Sequence, residues 1–205
     1  PTPATPPIPS PRVDISMFNN VDGGCFHENT LITLSNDGLK PIKNIIKGDK
    51  VISLKNYNSN INDICEANVL CVLKIYSNNN YFNLINIDNL KISPWHPICI
   101  NKSWVFPNNI SKKLISYDTV LYNLVLDTGH IVLVDNIWAI TLANKYDHGI
   151  LNHPYFSTNN IIQDLKNLPG WIDGEVTINN NYFIRHSITN QICGIKNPYV
   201  IETND

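Results

Sequence analysis

Gly23-Gly24-Cys25-Phe26-His27-Glu28-Asn29-Thr30-Leu31-Ile32-Thr33-Leu34 is the stretch on which the reading of this chain turns. Before it, residues 1–11 contain six prolines among Thr and Ser. That composition reads as an extended linker rather than part of a core. Residues 1–23 are therefore expected to be a Pro-rich linker and flanking segment, attached to something upstream. After it, Leu31-Ile32-Thr33-Leu34 reads as a short strand. Asn36-Asp37-Gly38 is a hairpin turn, because Asp-Gly supplies the positive φ angles such turns need. Gly48-Asp49 turns the chain again before residues 51–54. Further strands are expected over 67–76, 81–87, 90–93, 121–126 and 131–142, the last with a turn near Asp135-Asn136. Turns at such short intervals predict a compact all-β body over residues 24–143.

Beyond Leu142 the pattern changes. Residues 144–152 are polar and loop-like. Ser157-Thr158 offers a helix N-cap, and Ile161, Ile162, Leu165 and Leu168 follow at helical spacing until Pro169-Gly170 stops the run. Short β-like pieces return at 182–184 and 192–195. Residues 144–205 thus read as a small α+β appendage with one helix, packed on the β-body.

Composition narrows the class. Of 205 residues 43% are hydrophobic, enough for a sizeable core, while only 16% are charged and the net charge is −2. No basic cluster marks a nucleic-acid footprint. No apolar run is long enough for a membrane span. The five cysteines (Cys25, Cys65, Cys71, Cys99, Cys193) are odd in number and contain no C-x-x-C, so neither a metal site nor a disulfide framework is indicated. No cofactor is expected, and a monomer in a reducing, cytoplasmic setting fits best.

Cys25 is where chemistry concentrates. A cysteine at the first position of a folded domain can attack the carbonyl of the residue before it and turn the Gly24–Cys25 amide into a thioester. The amide is planar and resonance-stabilised, so the step is uphill. It needs a proton for the leaving nitrogen, a donor for the developing oxyanion and a backbone that tolerates distortion, as Gly24 does. Free cysteine has a pKa of roughly 8.5, so some thiolate character must come from the site or from a base. Ser93-Pro94-Trp95-His96-Pro97 offers helpers. Prolines on both sides of His96 hold it in a rigid extended loop. Spacing alone does not link Cys25 to Ser93 and His96, and a lone cysteine is most often a small core residue.

These residues resemble a known family. Gly24-Cys25-Phe26 with Asn29-Thr30-Leu31-Ile32-Thr33-Leu34, then residues 37–42 and 47–53, resemble the opening of Hint domains, shared by inteins, bacterial intein-like domains and the Hedgehog autoprocessing domain. Ser93-Pro94-Trp95-His96 is similar to the Thr-x-x-His block of that fold. His148-Gly149, His153-Pro154-Tyr155-Phe156-Ser157-Thr158 and Leu168-Pro169-Gly170-Trp171 resemble the Vint family, found with von Willebrand factor A domains. The resemblance covers residues 24–175. It implies an all-β, horseshoe-like Hint fold and an N–S acyl shift at Gly24–Cys25. Cys25 would be the nucleophile, His96 the acid for the scissile nitrogen, and Ser93 would stand where threonine is usual. It also implies an upstream von Willebrand factor A domain as substrate.

Departures from the family pattern limit the outcome. Inteins close this fold with His-Asn, and asparagine cyclisation cuts the second junction. Here Ile140-Thr141 stand there, and neither does that chemistry. Asn123 stands where many inteins carry aspartate. Cleavage or transfer at one junction is expected, without splicing, the thioester being resolved by water, a small thiol or another nucleophile. By analogy with Hedgehog domains the appendage could hold that nucleophile or another small ligand, with His153, Tyr155, Phe156 and Trp171 as candidates. The alternative is a catalytically quiet Hint-like module acting as a ligand-binding or interaction domain.

Overall fold

The computed structural model describes residues 24–58, 63–79 and 81–198. One long strand, Ile64–Tyr76, organises them. Its first part pairs antiparallel with Lys50–Leu54, from Leu54 opposite Ile64 to Lys50 opposite Asn68. Its second part pairs antiparallel with Leu121–Leu126. Sheet pairing continues from Leu121–Leu126 through Phe26–His27, Leu90–Ile92, Tyr81–Ile87 and Ile115–Asp118. In the other direction it runs from Lys50–Leu54 through Ile131–Val134, Ile137–Ile140 and Ile98–Ile100 to Ser103–Val105. A chain that bends one continuous sheet this way gives the all-β body that the alternating pattern predicts.

Local chemistry accounts for the corners. At the Asn36-Asp37-Gly38 turn, Asp37 takes φ 62° and Leu34 N–H donates to the Gly38 carbonyl at 2.8 Å. The hairpin of Ile131–Val134 and Ile137–Ile140 turns on Asp135 and Asn136, with φ 45° and 65°. A second hairpin, Ile98–Ile100 with Ser103–Val105, turns on Asn101 and Lys102, both at positive φ without a glycine. The sequence reading did not contain this hairpin, because lysine is not a residue that advertises such a turn.

The C-terminal region contributes a strand to the body. Glu175–Asn179 runs parallel to the long strand, from Glu175 opposite Val72 to Asn179 opposite Tyr76. Just before it lies the helix Asn159–Lys166, capped where Thr158 accepts from the Asn160 N–H. Ile161 and Leu165 are its buried face. Gly170 ends this segment at φ 89°, where a Cβ would meet the Glu175 carbonyl oxygen at 2.0 Å. A separate hairpin, Phe183–Arg185 with Ile192–Ile195, completes the region.

Two main cores result. One joins the β-body to the C-terminal region and includes Leu73, Val125, Leu142, Phe156, Ile161, Leu165, Val176 and Ile192. The other, inside the β-body, includes Phe26, Ile32, Val51, Ile92, Leu124 and Val132. Leu121–Leu126 is buried along its whole length because it faces both.

Candidate active site

Strand register assembles the candidate residues. Phe26 lies opposite Tyr122 on one side and Ile92 on the other. Continuing both ladders by one residue sets Cys25 between Asn123 and Ser93. Successive side chains point to opposite faces of a strand. Phe26 therefore enters the core of the β-body, while Cys25 enters the core shared with the C-terminal region.

The Gly24–Cys25 peptide is held at both ends. The Cys25 N–H donates to Ser93 Oγ at 2.9 Å. The Ser93 N–H donates to the Cys25 carbonyl at 3.0 Å. Opposite them, Asn123 Nδ2 donates to the Gly24 carbonyl oxygen. The Leu124 N–H donates to Asn123 Oδ1 at 2.7 Å, which turns the NH₂ end of that amide toward the junction. Asn123 had no role in the sequence reading. Its one signal was the family resemblance, since it occupies a position where many inteins place a polar acid.

His96 is fully buried beside the same peptide. Its own N–H donates to the Ser93 carbonyl at 3.3 Å, so the loop between the two prolines is a turn that ties Ser93 and His96 together. Nε2 lies 2.7 Å from the Ile140 carbonyl oxygen. A carbonyl only accepts, so in the neutral ring Nε2 carries the proton and Nδ1 keeps its lone pair. Nδ1 is buried and closes no hydrogen bond among the described residues. The ring packs on Phe26 at a centroid distance of 4.3 Å. It also rests on Gly24, where a Cβ would lie 2.9 Å from His96 Cγ and 3.1 Å from Nδ1. Glycine at 24 is thus demanded by close approach. Burial pushes the imidazole pKa down to about 4, against the opposing pull of the Ile140 carbonyl and the Cys25 backbone. At neutral pH the ring is uncharged.

A cavity opens on the junction. Its wall includes Gly24, His96, Asn123, Thr141, His153 and Phe156. His153 Nδ1 accepts from the N–H groups of Tyr155 at 3.0 Å and Phe156 at 3.1 Å. The neutral His153 ring therefore carries its proton on Nε2, and burial holds its pKa down at about 4. Tyr155 and Trp171 do not line this cavity. The buried Tyr155 donates its hydroxyl to Asp164 Oδ2 at 2.7 Å. Trp171 packs, partly buried, on the shared core, with Lys166 Nζ 6.0 Å from its ring centroid. No disulfide joins any of the five cysteines, all of which lie among the described residues. Burial pushes the Cys71 thiol up to about 12, which leaves it inert as a nucleophile. Among the described residues no group of His, Cys, Asp and Glu could hold a metal ion.

Residues 24–194 match the Vint family of Hint domains. The chain belongs to that family. This Vint domain is similar in fold to a bacterial intein-like domain from Clostridium thermocellum, with 21% identity over 57% of this chain and 97% of that one, at a TM-score of 0.45. It is likewise similar to a DnaB intein from Synechocystis sp. PCC 6803, with 14% identity over 58% and 99% of the two chains, at a TM-score of 0.42. No curated protein matches it. Among its described residues no helix is long and apolar enough to cross a membrane.

Proposed function

We propose that this Vint domain cuts the chain at its own Gly24–Cys25 bond through an N–S acyl shift. The observation that carries the reading is the grip on one peptide from both sides. Asn123 Nδ2 lies on the carbonyl oxygen, Ser93 Oγ lies on the N–H, and His96 packs against Gly24. The Cys25 sulfur attacks the Gly24 carbonyl carbon, and the carbonyl oxygen takes the developing negative charge against Asn123 Nδ2. The C–N bond then breaks, leaving a thioester on sulfur and a free amine on Cys25. The thiol proton ends on that amine. His96 is built to carry it. Its neutral Nδ1 takes a proton from the thiol, and the resulting imidazolium, a strong acid in this buried setting, returns it to the weakly basic nitrogen. Ser93 holds the N–H in line while this happens.

Ile140 and Thr141 supply no cyclising amide, so the proposed reaction ends at one junction and does not splice. Its substrate is the segment upstream of Cys25, proposed to carry a von Willebrand factor A domain. A reducing compartment would keep Cys25 a thiol. One observation favours the quieter alternative of a binding module: Cys25 is only 1% exposed, which keeps external thiols away. Incubating the purified chain with dithiothreitol or hydroxylamine and following its mass separates the two. Self-processing predicts a fragment ending at Gly24 that is absent from Cys25→Ala. Intact mass over days across pH 6–9 would sink it.

A further inference from the structure

Resting on the reading above, the structure points to the fate of the thioester. We propose that the cavity beside Gly24 is a water site in which Thr141 positions the hydrolytic water and His96 activates it. The cavity measures about 30 Å³. One water needs about 10–15 Å³, so there is space for roughly two. Its wall is apolar over Trp95, Ile140 and Phe156 but includes Thr141 and His96, whose Oγ1 and Nδ1 are buried with no hydrogen-bond partner among the described residues. Thr141 is 2% exposed and His96 is 0% exposed. A buried hydroxyl or imidazole nitrogen without a partner is costly, and water in the cavity these two residues line would relieve it. Residues of the C-terminal region, Ile150, His153 and Ser157 among them, close the far wall.

The chemistry follows from the tautomer. After the acyl shift His96 has handed its proton to the leaving amine, and its Nδ1 lone pair is free again. The water oxygen attacks the Gly24 thioester carbon while its proton passes to Nδ1. The oxyanion again faces Asn123 Nδ2. The C–S bond then breaks and the proton is delivered to sulfur, leaving a Gly24 carboxylic acid, a Cys25 thiol and neutral His96. Hydrolysis removes the thioester that the new amine would otherwise recapture. Thr141 thus becomes a positioning residue for the second step, at a place where its lack of a cyclising amide had excluded splicing.

The test is cleavage of the 205-residue chain in H₂¹⁸O without added thiol, beside a parallel series with dithiothreitol. The fragment ending at Gly24 should carry one ¹⁸O in its carboxylate. In Thr141→Val the ratio of hydrolysis to thiolysis should fall about tenfold, the effect of one lost hydrogen bond. Thr141→Ser should restore it. A general structural defect would slow both routes together and leave the ratio alone. An unchanged ratio in Thr141→Val, or a fragment without ¹⁸O, overturns the water site while leaving the acyl shift intact. Failure of dithiothreitol and hydroxylamine to cut the unmodified chain overturns the acyl shift itself.

Discussion

The Gly24–Cys25 bond is surrounded by side chains whose removal should have different consequences. On the proposed reaction His96 moves a proton in the bond-breaking step, and general acid–base groups contribute about 10²- to 10⁴-fold. His96→Ala should therefore slow dithiothreitol-induced cleavage by at least about a hundredfold. Ser93→Ala should cost less, because it removes an acceptor on the N–H and not the proton carrier; the reverse ranking would reassign both roles. Asn123→Ala removes the donor on the Gly24 carbonyl and should also cost on the order of a hundredfold, as the loss of an oxyanion donor does elsewhere. Gly24→Ala tests the packing. Its methyl would sit 2.9 Å from His96 Cγ, with Phe26 on the ring as well. The imidazole has to shift, and a displacement of about 1 Å costs on the order of a hundredfold. A Gly24→Ala chain that cleaves at the unmodified rate would show that the ring is not held where the chemistry needs it. Of these residues, motif blocks single out Cys25, Ser93 and His96 as candidates, and the fold brings them together around one peptide. Asn123 joins them only in the structure, because nothing in a strand sequence states which residue sits across the ladder.

At the scale of single elements, sequence and structure agree where side chains announce their faces. The strands Tyr81–Ile87, Leu121–Leu126 and Ile192–Ile195 have the bounds that sequence patterning predicts. The helix follows its cap and its Ile161–Leu165 stripe. Elements set by remote partners were harder to read. Glu175–Asn179 alternates only Val176 and Ile178, and what makes it a strand is the edge of Ile64–Tyr76 beside it. Tyr155 is a ligand candidate by analogy with Hedgehog domains, yet its hydroxyl goes to Asp164, whose Oδ2 also accepts from the Ile195 N–H at 3.1 Å. One carboxylate thus joins the helix to the final hairpin. Thr158→Ala should cost about 1 kcal/mol, the usual worth of an N-cap. Leu165→Ala should cost about 2–5 kcal/mol as a buried truncation. Urea unfolding measures both, and equal midpoints for the two variants would contradict this account of how the helix is held.

For the molecule as a whole, buried histidines set the acid limit. His96 and His153 have folded pKa values of about 4, and burial also lowers those of His27 and His130. An unfolded histidine takes up its proton near pH 6.5, before the folded one does. The contribution is therefore complete above pH 6.5 and disappears as the pH falls toward 4. For His96 and His153 it amounts to about 3 kcal/mol each. Against a typical total of about 5–15 kcal/mol, that is a large share, and the domain should lose stability in mild acid. The urea midpoint should drop steeply between pH 6.5 and 4.5, with a shallower slope in His153→Gln; a flat profile would mean that these rings are not buried as neutral groups. The parallel pairing of Glu175–Asn179 with Ile64–Tyr76 bears on timing as well as strength. A ribosome delivers Gly24 early, but the far wall of the cavity and the strand that backs the central ladder arrive only with residues 150–179. On the proposed reaction, a nascent chain carries its cutting bond long before it can use it. The cut then serves as a checkpoint on the C-terminal region, passed only once the strand Glu175–Asn179 has reached its place beside Ile64–Tyr76.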